Sequence, residues 1–286
     1  MKRITLWTAA VALVLPFKVN AQNKLPVIAA ADLTKIETAM PAKASAVPKK
    51  TRKILVFWRC DGFFHGGGIA GGNKAIELMG TKTGAYTADF SREYEALEAT
   101  NLAKYDAVVL NNTTQLKLSD AQQQALLAFV RSGKGVIGIH AATDNFNQWP
   151  DGAKMLGALF NGHPWGGGGT WAFKLDEPTH PLAKAFGGKG FKLKDEIYEM
   201  KEPYSRTNCR VLLSLDLTDA ATGNKGQRAD KDFAVAWIRK EGQGRVFYCS
   251  LGHDLNVFQE AAILQFNLDG IQYALGDLEA DATPKP

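Results

Sequence analysis

Hydrophobic runs alternate with amphipathic segments along most of the chain from Lys53 onward. Short apolar runs rich in β-branched residues are typical of strands buried on both faces of a parallel sheet. Runs of this kind occupy residues 54–57, 85–90, 106–111 and 135–140. Helical periodicity separates them, over residues 73–79, 94–102 and 119–133. Strands that alternate with helices predict right-handed βαβ units and a parallel sheet.

The second half of the chain is more mixed. Strand-like runs lie at residues 171–175, 211–215, 234–238 and 245–249, and an amphipathic helix is predicted over 260–275. The economical interpretation is one doubly wound α/β domain over residues 53–278, followed by a short tail at 279–286. In such sheets a ligand lies at the carboxyl ends of the parallel strands, so the segments after the strands carry the functional information.

The N-terminus has the features of a targeting segment. Lys2 and Arg3 precede an apolar run over residues 4–17, and the small residues that end at Ala21 predict signal-peptide cleavage there. We therefore expect a signal peptide at 1–21 and a periplasmic or secreted protein. The run is shorter than the ~20 residues that span a bilayer, so we expect no membrane attachment after cleavage. The proline-containing residues 22–52 are interpreted mainly as a linker, with a helical turn or two at 33–40.

Composition adds limits on partners. The chain is 45% hydrophobic and 22% charged, which is ordinary for a globular protein, and its formal charge of +5 falls to near +2 without the leader. Since nothing suggests a concentrated basic face, we expect no nucleic-acid partner. The three cysteines match no metal-binding or redox spacing and are expected to be free, buried thiols. The sequence is compatible with either a monomer or a homo-oligomer.

The five histidines are the clearest chemical signal. Three of them, His65, His140 and His253, follow the carboxyl end of a predicted strand, where a crevice should lie. His140 ends its strand at a sharp turn that resembles the elbow on which α/β enzymes expose a nucleophile. An imidazole there can act as base, acid or metal ligand, and the alternative is a hydrogen-bonded structural histidine.

Acidic residues accompany the histidines in sequence. Asp144 follows His140 by four residues and either orients an imidazole or caps the next turn. If residues 195–199 are extended, Glu196 and Tyr198 share one face and Glu199 lies on the other, so one glutamate enters the crevice while the other stays solvated. The alternative is an exposed charged turn. The candidate catalytic residues are His140, His253, Glu196, Glu199 and Asp144.

A metal and a sugar are the candidate ligands. His140, His253 and Glu196 could together form a two-histidine, one-carboxylate site for Zn²⁺ or a similar divalent ion, although no local ligand spacing supports it. The Gly66–Gly72 run lacks a dinucleotide fingerprint, so we expect no nucleotide. Aromatic rings flanked by polar groups suit a sugar, and the rings of Trp149 and Trp165 lie in polar loops. The candidate substrate-binding residues are His65, His163, Trp149, Trp165, Tyr198 and Asp254.

Several motifs together resemble the ThuA-like (trehalose-utilisation) family. They are Gly-Ile-His-Ala-Ala-Thr-Asp ending at Asp144, Gly-His-Pro-Trp ending at Trp165, Thr-His-Pro-Leu ending at Leu182, Asp-Glu-Ile-Tyr ending at Tyr198, Ala-Trp ending at Trp237, Gly-Arg-Val-Phe-Tyr ending at Tyr248 and Leu-Gly-His ending at His253. The resemblance implies a three-layer α/β/α fold with a mainly parallel central sheet, similar to flavodoxin and class I glutamine amidotransferases. It also implies carbohydrate processing, with 3-keto-glycosides as substrates in related pathways and a divalent metal in some members. His140 stands where the amidotransferases carry a nucleophilic cysteine, so glutamine hydrolysis is not expected.

We therefore expect an exported enzyme that acts on a sugar or 3-keto-glycoside by acid–base or metal-assisted lyase, isomerase or hydrolase chemistry. The main alternative is a non-catalytic carbohydrate-binding protein of the same fold. A third is a glutamine amidotransferase relic that docks on a partner protein.

Overall fold

The computed structural model describes residues 24–285. Its strands are β1 (Lys53–Phe57), β2 (Thr87–Ser91), β3 (Ala107–Asn111), β4 (Gly135–Ile139), β5 (Leu159–Phe160), β6 (Thr170–Leu175), β7 (Phe191–Lys194), β8 (Met200–Lys201), β9 (Arg210–Leu215), β10 (Ala234–Glu241) and β11 (Gly244–Cys249). Its helices are α1 (Ala30–Ala39), α2 (Gly66–Thr83), α3 (Ala99–Leu102), α4 (Asp120–Arg131), α5 (Pro150–Leu156) and α6 (Ala261–Leu275). The predicted signal peptide lies outside the described residues. Within them, none of the helices has the length and apolar character needed to cross a membrane.

Nine strands form one mixed sheet in the order β2-β1-β3-β4-β11-β10-β9-β6-β7. The five strands from β2 to β11 run parallel, and the remaining four continue the sheet with antiparallel pairing. The mixed second half expected from the sequence is this antiparallel extension. The two short strands β5 and β8 pair separately.

Alternating residues of the parallel strands supply two hydrophobic cores. In β1, Ile54 and Val56 pack on one face of the sheet and Leu55 and Phe57 on the other. Burial on both faces explains why these strands read as continuous apolar runs. Helices α1, α2 and α6 cover the first face and α3, α4 and α5 the second, which confirms the predicted three-layer α/β/α architecture.

Helix α4 begins where the sequence predicts. Ser119 accepts a hydrogen bond from the backbone N–H of Gln122, and the Gln122 side chain accepts one from the Ser119 N–H. This capping box satisfies two donors that the first turn would otherwise leave unpaired.

The Gly66–Gly72 run is itself helical, because α2 begins at Gly66 and extends to Thr83, beyond both ends of the helix predicted at 73–79. A Cβ on Gly68 would lie 2.3 Å from the carbonyl oxygen of Gly252 and 2.6 Å from that of His253. Glycine is therefore needed because the helix packs directly on the backbone after β11.

The segment interpreted mainly as a linker contains α1 and packs on the domain. Ile36 is fully buried in the first hydrophobic core. Gln272 of α6 accepts a hydrogen bond from the N–H of Ala46 and donates one to its carbonyl. This segment is therefore held against the domain along part of its length.

The three cysteines are buried and form no disulfide, as expected. Burial raises the pKa of the Cys209 and Cys249 thiols to about 12, so both remain protonated at neutral pH. None of the three lies in the turn that follows β4, where His140 stands.

Candidate metal centre

Three histidines meet at the carboxyl edge of the parallel strands. His65 follows β1, His140 follows β4 and His253 follows β11. The ring centroid of His65 lies 4.9 Å from that of His140 and 5.1 Å from that of His253, and the centroids of His140 and His253 are 5.3 Å apart. Residues from three distant parts of the sequence therefore share one crevice.

Glu196 completes a group that we call the quartet: His65, His140, Glu196 and His253. One possible ligand atom from each side chain lies within 4.8 Å of those of the other three. The carboxylate oxygens of Glu196 are 3.8 Å from the Nε2 atoms of both His140 and His253. Three imidazoles and a carboxylate are a common ligand set for divalent transition metals, Zn²⁺ among them.

The orientation of His140 is fixed by its backbone and its neighbours. Its φ of 48° lies in the left-handed region, which is strained for a residue with a side chain. Tyr248 donates a hydrogen bond to the His140 carbonyl at 2.7 Å. The Nδ1 atom lies 2.7 Å from the Ser250 carbonyl, which can only accept, so Nδ1 carries the proton and Nε2 presents its lone pair to the quartet.

Asp195 holds the segment that carries His253. Its carboxyl group accepts hydrogen bonds from the backbone N–H groups of Gly252 and His253, at 2.8 and 3.1 Å. Gly252 has a φ of 139°, which a residue with a side chain rarely adopts. Burial raises the pKa of Asp195 to about 8 despite these two donors. Asp195 thus joins the loop of His253 to the segment of its neighbour Glu196.

The charge state of the imidazoles suits metal binding. Burial, reinforced by the neighbouring histidines, lowers the pKa of His65 to about 3, and burial also lowers the pKa of His140 well below its ordinary value. Both rings are therefore neutral at neutral pH, which is the form that ligates metals.

Three nitrogen atoms of the quartet are buried without a hydrogen-bond partner: Nδ1 of His65, Nε2 of His140 and Nδ1 of His253. Buried polar atoms in native proteins are nearly always satisfied, so unpartnered atoms call for a specific explanation. A divalent cation bound by the quartet fits this donor set.

The rim of the site contains further predicted residues. Tyr198 lies on the same side as Glu196, with its ring 4.5 Å from that of His140 and its hydroxyl 3.4 Å from Nε2 of His65. His163 is half-exposed, and its Nδ1 lies 3.4 Å from Glu196. The Asp254 carboxylate lies 3.2 Å from Nδ1 of His253 without forming a hydrogen bond to it. The glycine loop also borders the site, because a Cβ on Gly167 would touch the ring of His253.

Glu199 lies outside the quartet and is buried, not solvated as expected. Its carboxylate accepts hydrogen bonds from the N–H of Gln227 and the side chain of Asn161. The alternation predicted for residues 195–199 is present, because Ile197 and Glu199 donate their N–H groups to the carbonyls of Trp165 and Gly162. This pairing directs Glu196 into the crevice.

Asp144 is also outside the quartet. It ends the 3-10 turn His140–Asp144, so it does not cap α5, whose N-cap position is Trp149. Its carbonyl accepts the N–H of Gln115, and its carboxylate lies 3.5 Å from the Gln115 amide. Burial raises the pKa of Asp144.

The two tryptophans expected to contact a ligand belong to the hydrophobic core. Trp165 is fully buried, packs on Phe233 and donates its indole N–H to the Thr222 carbonyl. Trp149 is buried against Phe146, with ring centroids 4.9 Å apart. The prediction from their polar loop sequences is wrong, because both indole rings point from their loops into the hydrophobic core.

The sequence predicts His65 as a substrate-binding residue, and the structure places its imidazole within the quartet. The sequence signal that groups His65 with His140 and His253 is that all three follow predicted strands. The role of Asp195 had no such signal, because its partners are backbone N–H groups more than fifty positions away.

Comparisons with known proteins agree with this architecture. A family model described as trehalose utilisation, ThuA, matches residues 53–274. Two similar solved structures are ThuA-like proteins: one from Bacteroides uniformis (TM-score 0.67, 21% identity, covering 80% of this chain and 94% of that one) and one from Parabacteroides merdae (TM-score 0.61, 17% identity, covering 82% and 98%). At these identities the likeness shows the fold. No curated protein matches the chain.

Proposed function

Because the chain belongs to the trehalose-utilisation (ThuA) family, which is associated with carbohydrate utilisation, we propose that it is an enzyme acting on a sugar or an oxidised (3-keto) glycoside. The observation that carries the proposal is the quartet. Two buried imidazoles, one partly buried imidazole and one carboxylate converge, and a nitrogen atom of each ring lacks a hydrogen-bond partner. Such an arrangement weakens a fold unless a ligand uses it, so we infer a catalytic metal site.

The residues that would hold a divalent cation are His65, His140, Glu196 and His253. When bound, such an ion supplies a Lewis acid that polarises a carbonyl oxygen. The Ser250 carbonyl keeps His140 in the ligating tautomer, and Asp195 fixes the backbone of His253. These contacts limit reorganisation of the ligands when the ion binds.

The charges around the site favour a neutral substrate. Among residues 24–285, no lysine or arginine forms an ion pair or hydrogen bond with a quartet side chain, and the ion contacts of these side chains are with histidine, glutamate and aspartate. Sites for phosphate or carboxylate groups use cationic side chains for recognition. A keto-sugar carries a polarisable carbonyl and no formal charge, so it suits this site.

A keto group at C3 of a glycoside acidifies the neighbouring C2–H bond. Removal of that proton by a base allows the C1–O bond to break, and the leaving oxygen takes a proton to give the free alcohol and an unsaturated keto-sugar. Addition of water across the new double bond then gives the free 3-keto-sugar. We assign the proton transfers to His163, because its half-exposed imidazole contacts Glu196 while lying outside the quartet.

The test uses full-length protein purified without a histidine tag. Elemental analysis should find close to one divalent transition metal per chain, and a 3-keto-glucoside should be converted to free 3-keto-glucose. Chelation should reduce the rate by at least about 100-fold, and restoring the metal should recover it. Absence of turnover with and without added metal, together with saturable sugar binding, would instead favour the carbohydrate-binding alternative.

A matched pair of variants separates the site from general histidine loss. His140→Ala should lose both metal and turnover. His180→Ala removes another buried histidine, one that accepts the Leu182 N–H and lies 3.3 Å from the Asp281 carbonyl, so it should retain both. Equal losses in the two variants would contradict the assignment of the quartet.

A further inference from the structure

An exposed aromatic ring stands beside the quartet. Phe63 is 67% exposed, and its ring centroid lies 4.7 Å from that of His65. Among the described residues, the exposed large hydrophobic side chains are Val27, Val47, Phe63 and Phe90. Phe63 is the member of this set that contacts a quartet side chain.

The backbone that carries Phe63 is anchored. The Thr114 hydroxyl donates to the Phe63 carbonyl at 2.9 Å, and the Thr114 carbonyl accepts the N–H of Asp61 at 2.9 Å. A Cβ on Gly62 would collide with the side chain of Gln115, so this loop lies directly against the segment after β3. The ring is therefore presented at the rim by a fixed backbone.

A second aromatic group lies on the Glu196 side of the quartet. The rings of Phe160 and His163 stack, with centroids 6.0 Å apart and planes 15° apart. The Phe160 ring also lies 4.3 Å from that of Tyr198, and His163 contacts Glu196. The aromatic group beside Glu196 includes His163, the proposed proton-transfer residue, so the reacting sugar should bind on that side. Phe63, which lies beside His65, is then available to contact a second ring of the substrate.

We propose that Phe63 is the stacking surface for the second ring of a glycoside, the ring attached through the oxygen that leaves the reacting sugar. This proposal rests on the proposed function and adds that the substrate class is glycosides with a cyclic leaving group, such as disaccharides. The C–H face of a pyranose or the face of an aryl group packs on a phenyl ring, while the sugar hydroxyls stay in water. Phe63 therefore determines specificity for the leaving group.

The experiment compares a 3-keto-disaccharide with the methyl glycoside of the same 3-keto-sugar, using the metal-loaded enzyme. Phe63→Ala should raise KM for the disaccharide about 3- to 10-fold and change KM for the methyl glycoside less than about 2-fold. Phe63→Trp should restore the disaccharide KM, because it restores an aromatic face. Metal content and kcat for the methyl glycoside should equal those of the wild type.

The matched control is Phe90→Ala, which removes a partly exposed ring on β2 and should leave both KM values unchanged. Equal KM changes for the two substrates in Phe63→Ala, or no change for either, would overturn this inference while leaving the proposed function intact. A wild-type enzyme that neither binds nor converts either compound would overturn the proposed function and this inference together.

Discussion

Two clusters of polar side chains, one beside each half of the sheet, differ in how their members are paired. On the antiparallel half, Arg206 donates to Asp232 and Ser214 and pairs with Asp176, while Tyr204 donates to Asp232. We call these five residues the Arg206 network. On the parallel half, the quartet gathers three imidazoles and a carboxylate and leaves ring nitrogens without partners.

This difference separates groups that stabilise the fold from groups that await a ligand. In the Arg206 network each charge that is removed from water gains an opposite charge or a hydrogen bond, so folding alone explains the arrangement. In the quartet, folding removes polar atoms from water and leaves three ring nitrogens without a hydrogen-bond partner. The strained backbone of His140 points the same way, because strain persists where function requires a particular geometry.

The largest expected effect is a loss of turnover on substitution of Glu196, and Glu199, three residues away, supplies the control. Glu196→Gln should reduce turnover about 10²- to 10⁴-fold and sharply weaken metal binding, because a neutral amide replaces the anionic ligand. The unfolding free energy of the metal-free protein should change by less than about 1 kcal/mol, since the recorded contacts of this carboxylate are with imidazoles. Steady-state rates, metal analysis and urea unfolding measure the three quantities.

Glu199→Gln is the matched control for that experiment. It weakens a buried acceptor of the Gln227 N–H, so we expect a loss of about 1–2 kcal/mol in unfolding free energy and normal metal content. If Glu199→Gln lost the metal while Glu196→Gln kept it, the assignment of Glu196 to the quartet would be wrong.

Local pattern was sufficient to predict the site's general location. Burial on both faces produces the apolar runs of β1, β3 and β4, and parallel strands end at a common edge, so the histidines after β1, β4 and β11 converge. The resemblance to the ThuA-like family is confirmed by the family match over residues 53–274.

Long-range packing decided what local pattern could not. Alternation along residues 195–199 separates Glu196 from Glu199, but the choice between them depends on pairing with residues 162–165. The buried indole of Trp165 depends on Phe233 and Thr222, which are distant in sequence. The predicted helix began only at residue 73 because glycine disfavours helices, whereas in α2 Gly68 permits contact with the backbone at Gly252.

The Arg206 network should show the opposite response to the quartet. Arg206→Met leaves the Asp176 and Asp232 carboxylates without their shared cation, so we expect a loss of about 3 kcal/mol in unfolding free energy. We take the lower end of the usual range because the Arg206 side chain is 30% exposed. Metal content and turnover of the folded variant should equal those of the wild type, as measured below its melting temperature.

Arg131→Met is the matched control, because Arg131 pairs with Glu241 at 2.8 Å while its side chain is 51% exposed. Surface pairs of this kind contribute about 0–1 kcal/mol. Equal destabilisation by the two arginine variants would show that the Arg206 network does not stabilise the fold more than a surface pair.

The smallest expected effect comes from a buried acid of the scaffold, Asp269 in α6, which accepts a hydrogen bond from the Gln265 side chain at 2.9 Å. Burial raises its pKa from 3.8 to about 6. The folded protein therefore binds this proton more tightly than the unfolded chain, so this group's contribution to stability is full below pH 4 and is lost as the pH rises to about 6. Asp269→Asn removes the ionisation, and we expect it to be about 1–2 kcal/mol more stable than the wild type at pH 7.5, with the difference shrinking toward pH 4.

Urea unfolding of both proteins at intervals between pH 4 and 8 measures this convergence, and metal content should stay equal throughout. A stability difference that did not vary with pH would mean that Asp269 is ionised in the folded protein, and that the scaffold solvates this charge as effectively as water does.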